Sequence, residues 1–415
     1  VAGDGRAASA DLVRWVVARH DPGCGGADRQ RRSQQTPIGR DAAGLKLVLT
    51  GGGTGGHIYP ALAIAETLSH EAACSPLDIL FVGTRDRLEA QIVPKAAVPI
   101  AYVHAAPLER SFSLSFLRTA AVNAVGFAEA LRILHRMKPD VLIATGGYVA
   151  FPVVSALRLV RALGLSRARI ALFEPNAVAG LTNRLLAPLV DEIWYASAPD
   201  ARPLGVREHV VGTPVRSSLR RTMSASEGRA ALGLDDAKTT IVVLGGSQGA
   251  RSLNESAAQL AETGMPGDWQ LLVVSGDADF ASLHSRLRER AGVSVLAYLD
   301  DPRAAYAAAD IVVARSGAST LAELAATATP ALLVPYPYAT GDHQMHNARA
   351  YAADGAARVL PDVELDGERL RTELEAMLSD VPALRRAAQR RAEADPRVAI
   401  VARVKTWPFA NKHDP

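Results

Sequence analysis

The chain has 415 residues, too many for one comfortable hydrophobic core, so two domains are the expectation. Hydrophobic residues make up 48% and charged residues 21%, the balance of an ordinary soluble globular protein, which excludes a disordered or fibrous chain. A formal net charge of +3 without a Lys/Arg-dense stripe argues against a nucleic-acid binder and suits an anionic ligand or a membrane surface.

Residues 1–44 mix Gly, Ala, Asp and Arg without a sustained apolar core, which reads as a flexible extension rather than a signal peptide or a packed domain. Cys24 and Cys74 have neither CxxC spacing nor a disulfide framework, a pattern that fits a reducing cytoplasm and suggests no zinc site. From Leu45 short β-branched runs alternate with longer Ala/Leu/Arg-rich segments, the pattern of βα units and parallel sheets. The predicted strands of the first half are Lys46–Leu49, Ile79–Val82, Ile100–Val103, Val141–Ala144, Ile170–Phe173 and Glu192–Tyr195. Those of the second half are Thr240–Leu244, Trp269–Ser275, Val293–Leu296, Ile311–Ala314, Ala331–Val334 and Ala357–Val359. The boundary between the two series falls in the Pro/Gly-containing stretch Ala201–Pro214. No run of about 18 uncharged apolar residues occurs, so any membrane contact is expected to be peripheral.

Strands run into glycines at Gly51, at Gly146-Gly147 and at Gly245-Gly246. A strand that ends in glycines before a helix lets a ligand approach the backbone and places helix N–H groups on an anion. Gly51-x-Gly53-x-x-Gly56 formally matches a dinucleotide fingerprint, with Pro60 expected near the helix start, where proline is tolerated. The ribose-binding acid is missing, because the second strand ends Phe81-Val82-Gly83-Thr84, and no Gly-Lys-Ser/Thr follows to make a P-loop. Gly245-Gly246-Ser247-Gln248-Gly249 matches a serine-hydrolase elbow, with Asp310 and His343 in hydrolase order, yet that reading leaves the first half without a task. Glycines that merely close tight turns would explain one pair, whereas three sets at strand ends point to phosphate or sugar handling in a cleft between two sheets.

Four further stretches carry chemistry. Arg315-Ser316-Gly317-Ala318-Ser319-Thr320-Leu321-Ala322-Glu323 follows a strand and opens a helix, with Ser316 or Ser319 expected as its cap and Glu323 placed to accept bonds from two sugar hydroxyls. Asp342-His343-Gln344-Met345-His346-Asn347 has an HxxH spacing but no assured third ligand, so a loop contacting sugar hydroxyls is preferred to a metal site. Glu174 and Asn176 end another strand, where ligands bind in open α/β sheets, while Asp277-Ala278-Asp279 reads as an ordinary acidic turn. Phe112 to Phe127, with Arg110, Arg118 and Arg132 around it, reads either as core or as an amphipathic face that meets anionic lipid.

Taken in order, Gly51-Gly52-Gly53-Thr54-Gly55-Gly56-His57, Thr145-Gly146-Gly147-Tyr148, Glu174-x-Asn176 through Arg184, Gly212-x-Pro214-Val215-Arg216, Gly245 through Ala250, Arg315 through Ala318 and Asp342-His343-Gln344 closely resemble the MurG family. The resemblance implies an α/β GT-B glycosyltransferase fold of two Rossmann-like domains facing across a cleft. It places an N-terminal domain at 45–208, a nucleotide-binding domain at 209–388 and a C-terminal helix, 389–415, that returns to the first. It implies transfer of GlcNAc from UDP-GlcNAc to the C4 hydroxyl of undecaprenyl-diphosphate MurNAc-pentapeptide, at the cytoplasmic face of the membrane. Cell-wall synthesis and division proteins are the further partners it suggests.

By position, the resemblance sets Thr54, Gly55 and Gly56 against the transferred sugar, with Asn176 close to it. Arg216 and Ser247 meet the diphosphate or ribose, Leu299 the uracil, and Ala318, Ser319, Thr320, Leu321, Ala322 and Glu323 the diphosphate and ribose, with Gln344 on the GlcNAc hydroxyls. Gly146, Gly147 and Tyr148, with the front of the first loop, receive the acceptor diphosphate. His57 is the first choice of base and Glu174 its rival. No cofactor is required on this reading, and Mg²⁺ is not indicated. The stretch Phe173-Glu174-Pro175-Asn176 departs from the expected His-Glu-Gln-Asn, Thr213 stands for Asn and Ser319 for Leu, with Phe173 and Pro175 expected beside the sugar site. A catalytically impaired nucleotide-sugar binder and a UDP-GlcNAc epimerase on the same fold are the alternative readings.

Overall fold

Two βα series form two parallel sheets in the computed structural model, which describes residues 45–71, 78–107, 114–199, 204, 206–220, 223–246, 249–299 and 301–407. The expected extension 1–44, both cysteines, Arg110, Phe112, Ser247 and Gln248 lie outside the described residues. The first half runs β1 (Lys46–Thr50), α1 (Gly55–Glu71), β2 (Asp78–Gly83), α2 (Glu89–Lys95), β3 (Ile100–Tyr102), α3 (Leu114–Met137), β4 (Val141–Ala144), α4 (Ala150–Ala162), β5 (Arg169–Glu174), α5 (Leu181–Leu186), β6 (Glu192–Tyr195) and β7 (Arg207–Val210). The second runs α6 (Ala225–Ala231), β8 (Thr239–Leu244), α7 (Arg251–Thr263), β9 (Trp269–Val274), α8 (Asp277–Leu287), β10 (Val293–Leu296), α9 (Pro302–Ala308), β11 (Ile311–Ala314), α10 (Ala318–Thr327), β12 (Ala331–Leu333), α11 (His343–Ala352), β13 (Ala357–Val359), α12 (Gly367–Leu378), α13 (Val381–Glu393) and α14 (Pro396–Lys405).

The sheet orders are β3-β2-β1-β4-β5-β6-β7 and β10-β9-β8-β11-β12-β13. Both reverse direction beside their first strand, between β1 and β4 and between β8 and β11, which makes two doubly wound sheets with switch-point crevices. The glycine loops after β1, β4 and β8 and the Arg315-Ser316-Gly317 turn after β11 all open at these crevices. The central strands are buried on both faces, so their sequences are continuous apolar runs rather than alternating ones.

Three differences from the sequence reading have plain causes. Strand β7 pairs in parallel with β6, from Glu192↔Arg207 to Tyr195↔Val210, so the first sheet continues through the expected boundary at 208. Its Arg-Glu-His composition hid it, because an edge strand need bury little. Proline 60 lies within α1, five residues past its first residue; lacking an N–H, it cannot bond the Gly56 carbonyl one turn back. The returning segment starts at α14, after α13 has crossed residue 389: Ile400, Val401, Val404 and Trp407 join Leu47, Ile58, Phe173 and Trp194 in one core cluster of the first half. Trp194 and Trp407 stack with ring centroids 5.6 Å apart. Buried Glu192 accepts from both indole N–H groups, at 2.9 and 3.0 Å, and from Arg403 at 2.6 Å, which fixes the return.

Candidate functional site

At the first crevice the two glycine loops interlock. The Thr145 hydroxyl donates to the His57 carbonyl at 2.7 Å, and His57 Nδ1 lies 2.7 Å from the Thr145 carbonyl. A carbonyl only accepts, so Nδ1 carries the proton and Nε2 is left with its lone pair. Gly147 holds φ +77°, and a Cβ there would lie 2.4 Å from the Gly52 carbonyl oxygen, so only glycine closes this contact. Gly146 faces His57 Cε1 and the Asn183 amide, and Gly53 faces the Tyr148 ring. Burial lowers the His57 pKa; the Thr145 bond and the Glu89 charge oppose this, and His343 reinforces it. Thr54, Gly55 and Gly56 lead into α1, whose first N–H groups have no intrahelical acceptor.

The fully buried Glu174 carboxylate is saturated. One oxygen accepts from the Asn176 N–H at 3.0 Å and its Nδ2 at 3.1 Å; the other accepts from the Gly180 N–H at 3.2 Å and Asn183 Nδ2 at 2.7 Å. Burial raises its pKa, and these four donors work against that. Phe173 does not line this site. Alternation along β5 turns it to the opposite face, into the first-half core, and Pro175 lines a separate cavity shared with Gly212 and Pro396 instead.

At the second crevice neither expected serine caps α10. Gly317 occupies the N-cap without a side chain, the buried Ser316 hydroxyl donates to the Gln344 carbonyl at 2.7 Å, and the Ser319 hydroxyl oxygen is buried with no partner. The start of α10 therefore offers the uncapped N–H groups of Ala318, Ser319 and Thr320 to an anion, while the Leu321 N–H, which precedes Ala322, already bonds the Gly317 carbonyl at 3.0 Å. Glu323 sits one turn on. Tyr306 donates to one of its oxygens at 2.7 Å, while the other makes no hydrogen bond among the described residues. Burial raises the Glu323 pKa, against the Tyr306 bond and the Arg216 charge. The Gln344 side-chain oxygen accepts from the Tyr336 N–H at 3.0 Å, and half-buried Leu299 packs on the second-half core.

Contacts that the sequence did not announce join the two halves. Asn347 is buried; its Oδ1 accepts from the Ala177 N–H at 2.8 Å, and its Nδ2 faces Asn176 Oδ1 at 3.1 Å and the Ser316 carbonyl at 3.3 Å. The Arg216 guanidinium lies 5.6 Å over the Tyr59 ring, and Glu66 accepts from the Ser217 N–H at 3.0 Å. Each pair that crosses between the halves is more than a hundred residues apart in the chain, so no local pattern announces it. A cavity of about 630 Å³ follows the connection between the two halves, lined by Gly212, Pro214, Leu321, Ala325, Tyr351 and Pro396; it touches none of His57, Arg216, Glu323 or Gln344.

The competing motifs separate in space. Asp310 opens β11, at the far end of that strand from the glycine loops, where Arg229, Arg385 and the Thr240 N–H hold it. It therefore cannot form a hydrolase triad with His343, whose Nδ1 lies 2.9 Å from the Thr340 carbonyl. Asp279 starts α8 with Asp277 and accepts from Asn254 at 2.8 Å. No cluster of three or more His, Cys, Asp or Glu suited to a metal occurs among the described residues.

Two family models match the chain: the glycosyltransferase family 28 N-terminal domain over residues 47–195 and the glycosyltransferase family 28 C-terminal domain over residues 240–401. The UDP-N-acetylglucosamine--N-acetylmuramyl-(pentapeptide) pyrophosphoryl-undecaprenol N-acetylglucosamine transferase of Halothermothrix orenii is 39% identical over 83% of this chain and 93% of its own length. The transferase of the same name from Desulfitobacterium hafniense is 38% identical over 83% and 94%. Among solved structures, Acinetobacter baumannii MurG aligns with a TM-score of 0.66 at 24% identity, over 87% of this chain and 99% of its own. A UDP-GlcNAc 2-epimerase from Neisseria meningitidis aligns at 0.60 with 12% identity, over 88% and 100%, a likeness of fold alone.

Proposed function

The chain belongs to the MurG family of glycosyltransferase family 28, a UDP-GlcNAc-dependent N-acetylglucosaminyltransferase of peptidoglycan biosynthesis that converts lipid I to lipid II, and on that premise we propose how its residues divide the reaction. His57 is the general base. The observation that carries this role is the Nδ1 bond to the Thr145 carbonyl, which leaves Nε2 free to take a proton, while burial keeps the ring neutral near neutral pH. Glu174 holds four donors and is better suited to orienting Asn176 and Asn183 than to accepting a proton from substrate.

The MurNAc C4 hydroxyl, deprotonated by His57, attacks the anomeric carbon of GlcNAc from the face opposite UDP, so the configuration inverts. The departing diphosphate gathers charge, and the uncapped start of α10 with the Arg216 guanidinium stabilises it there. Glu323 takes the ribose diol through its free oxygen, Gln344 and Asn176 the sugar hydroxyls, and Leu299 and Ser247 the rest of the nucleotide. The acceptor diphosphate rests at Gly146, Gly147 and Tyr148. This division needs no metal, and activity retained in EDTA would support it, whereas loss of activity restored by Mg²⁺ would contradict it.

The outer face of α3 suits a peripheral approach to an anionic membrane. Exposed Leu117 and Val125 share it with Ala121, Ala124 and Ala128, and Arg118 and Arg132 flank it, while Phe127 turns to the core. No helix among the described residues is long and apolar enough to cross a membrane. Cell-wall synthesis and division proteins would meet the enzyme at that surface.

The test is UDP release from UDP-GlcNAc with and without a lipid-diphosphate MurNAc-pentapeptide. Release only with acceptor, with a linked disaccharide formed, is expected. Binding without release would reveal an impaired relative, and conversion of UDP-GlcNAc to its 2-epimer without acceptor an epimerase.

A further inference from the structure

Glu89, the first residue of α2, is fully buried and has no part in the reaction just described. Its carboxylate lies beneath the first glycine loop: one oxygen accepts from the Thr84 N–H at 3.1 Å and the Thr84 hydroxyl at 2.6 Å, and the other from the Gly53 N–H at 3.2 Å. Both oxygens accept, so a carboxylate fits where an amide, with one acceptor and one donor end, does not. Room for it is made by two glycines. A Cβ on Gly52 would lie 2.6 Å from its Oε1, and one on Gly83 2.7 Å from its Cγ. All three donors are neutral, and no cation pairs with Glu89 among the described residues. A buried charge without a counter-ion is costly, and its retention calls for a reason beyond packing.

The sign of the charge suggests that reason. The carboxylate occupies the Gly53 N–H that a phosphate at the front of the first loop would use, which leaves the acceptor diphosphate to the Gly146-Gly147-Tyr148 loop. Its charge is right for stabilising an imidazolium that forms on the next turn. We propose that Glu89 is a positioning residue of the transfer reaction: through Gly53 it anchors the loop that carries Thr54 to His57, and its charge stabilises His57 as that ring takes up the acceptor's proton. The proposal rests on the reading of His57 as base. The charged groups that bear on His57 are Glu89, which favours the protonated ring, and His343, which disfavours it.

The experiment compares wild type, Glu89→Gln and Glu89→Asp by steady-state kinetics and by titrating the His57 ring with NMR of ¹³C-labelled histidine. For Glu89→Gln we expect kcat to fall about tenfold or more, the UDP-GlcNAc KM to change by less than kcat because the nucleotide part of the donor is held on the other half, and the His57 midpoint to move to lower pH. Glu89→Asp restores the midpoint but only part of kcat, because the shorter arm cannot reach both Thr84 and Gly53. A wild-type kcat in Glu89→Gln, or an unmoved His57 midpoint, overturns the proposal. Should the Glu89 variants not fold, Thr84→Ala removes one of the three donors; a smaller fall in kcat at unchanged donor KM supports the anchor, and a wild-type kcat overturns it. If His57 is not the base, His57→Gln keeps the acid limb of the rate profile, while the ring titration still reports the Glu89 charge, so the two failures are distinguishable.

Discussion

The two crevices of this molecule solve opposite problems with the same topology. In the first half most of the acids and hydroxyls around the glycine loops are already engaged within the protein: Thr145 and His57 bond reciprocally, Glu174 holds four donors and Glu89 three, and only Asn183 Oδ1 and His57 Nε2 are left open among the groups described above. In the second half the groups wait. The start of α10 is uncapped, the Ser319 hydroxyl has no partner and one Glu323 oxygen is open. Proton transfer needs fixed geometry and a base held neutral, whereas a charged diphosphate needs unspent donors that it can occupy when it arrives. Asn347, bonded to Ala177 on one side and to Ser316 on the other, ties the prepared half to the waiting one.

That contrast can be broken most directly at His57. His57→Ala should lower kcat by about 10³-fold, within the usual range for a general base, and leave UDP-GlcNAc binding by calorimetry unchanged. The wild-type acid limb should fall below pH about 6.5: burial lowers the His57 pKa, activity requires the neutral ring, and it is lost only as pH drops through that lowered value. A limb above the ordinary histidine range would count against the assignment.

Glu323→Ala, on the waiting side, should raise the UDP-GlcNAc KM about tenfold to a hundredfold with a smaller change in kcat, because a hydrogen-bonded diol is held in ground and transition states alike. An equal fall in kcat at constant KM would move Glu323 into the chemistry. Glu174→Gln tests the prepared side by stability. The amide would turn an N–H₂ toward two existing donors, at a cost of about 2–4 kcal/mol in chemical denaturation. An unchanged midpoint would mean that the four-donor clamp is not rigid.

Ser319→Ala should give the smallest effect and sharpen the comparison most. Its hydroxyl bonds nothing in the free protein, so stability should change by less than about 0.5 kcal/mol, while the donor KM rises a few-fold. Lower stability with an unaltered KM would place Ser319 with the packed residues instead.

Much of this was legible in the chain. All twelve sequence-read strands begin within one residue of their observed starts. A strand buried on both faces must be a short apolar run, and a switch-point loop must end in glycine, so both leave local marks. Features fixed by distant neighbours left none. Strand β7 exists because β6 offers it an edge, Phe173 faces the core because of the pleat, and Ser316 is drawn from capping by the Gln344 carbonyl.

The sequence by itself determined two doubly wound sheets, the loops where ligands approach and, through its ordered motifs, the family. Only the tertiary structure decided which acid is a clamp, which nitrogen of His57 is free, and that Asn347, Tyr59 and Glu89 belong to the site. The reason is physical: periodicity and turn chemistry act over a few residues and can be read along the chain, but a hydrogen bond is directional and a buried charge answers to whatever surrounds it in space.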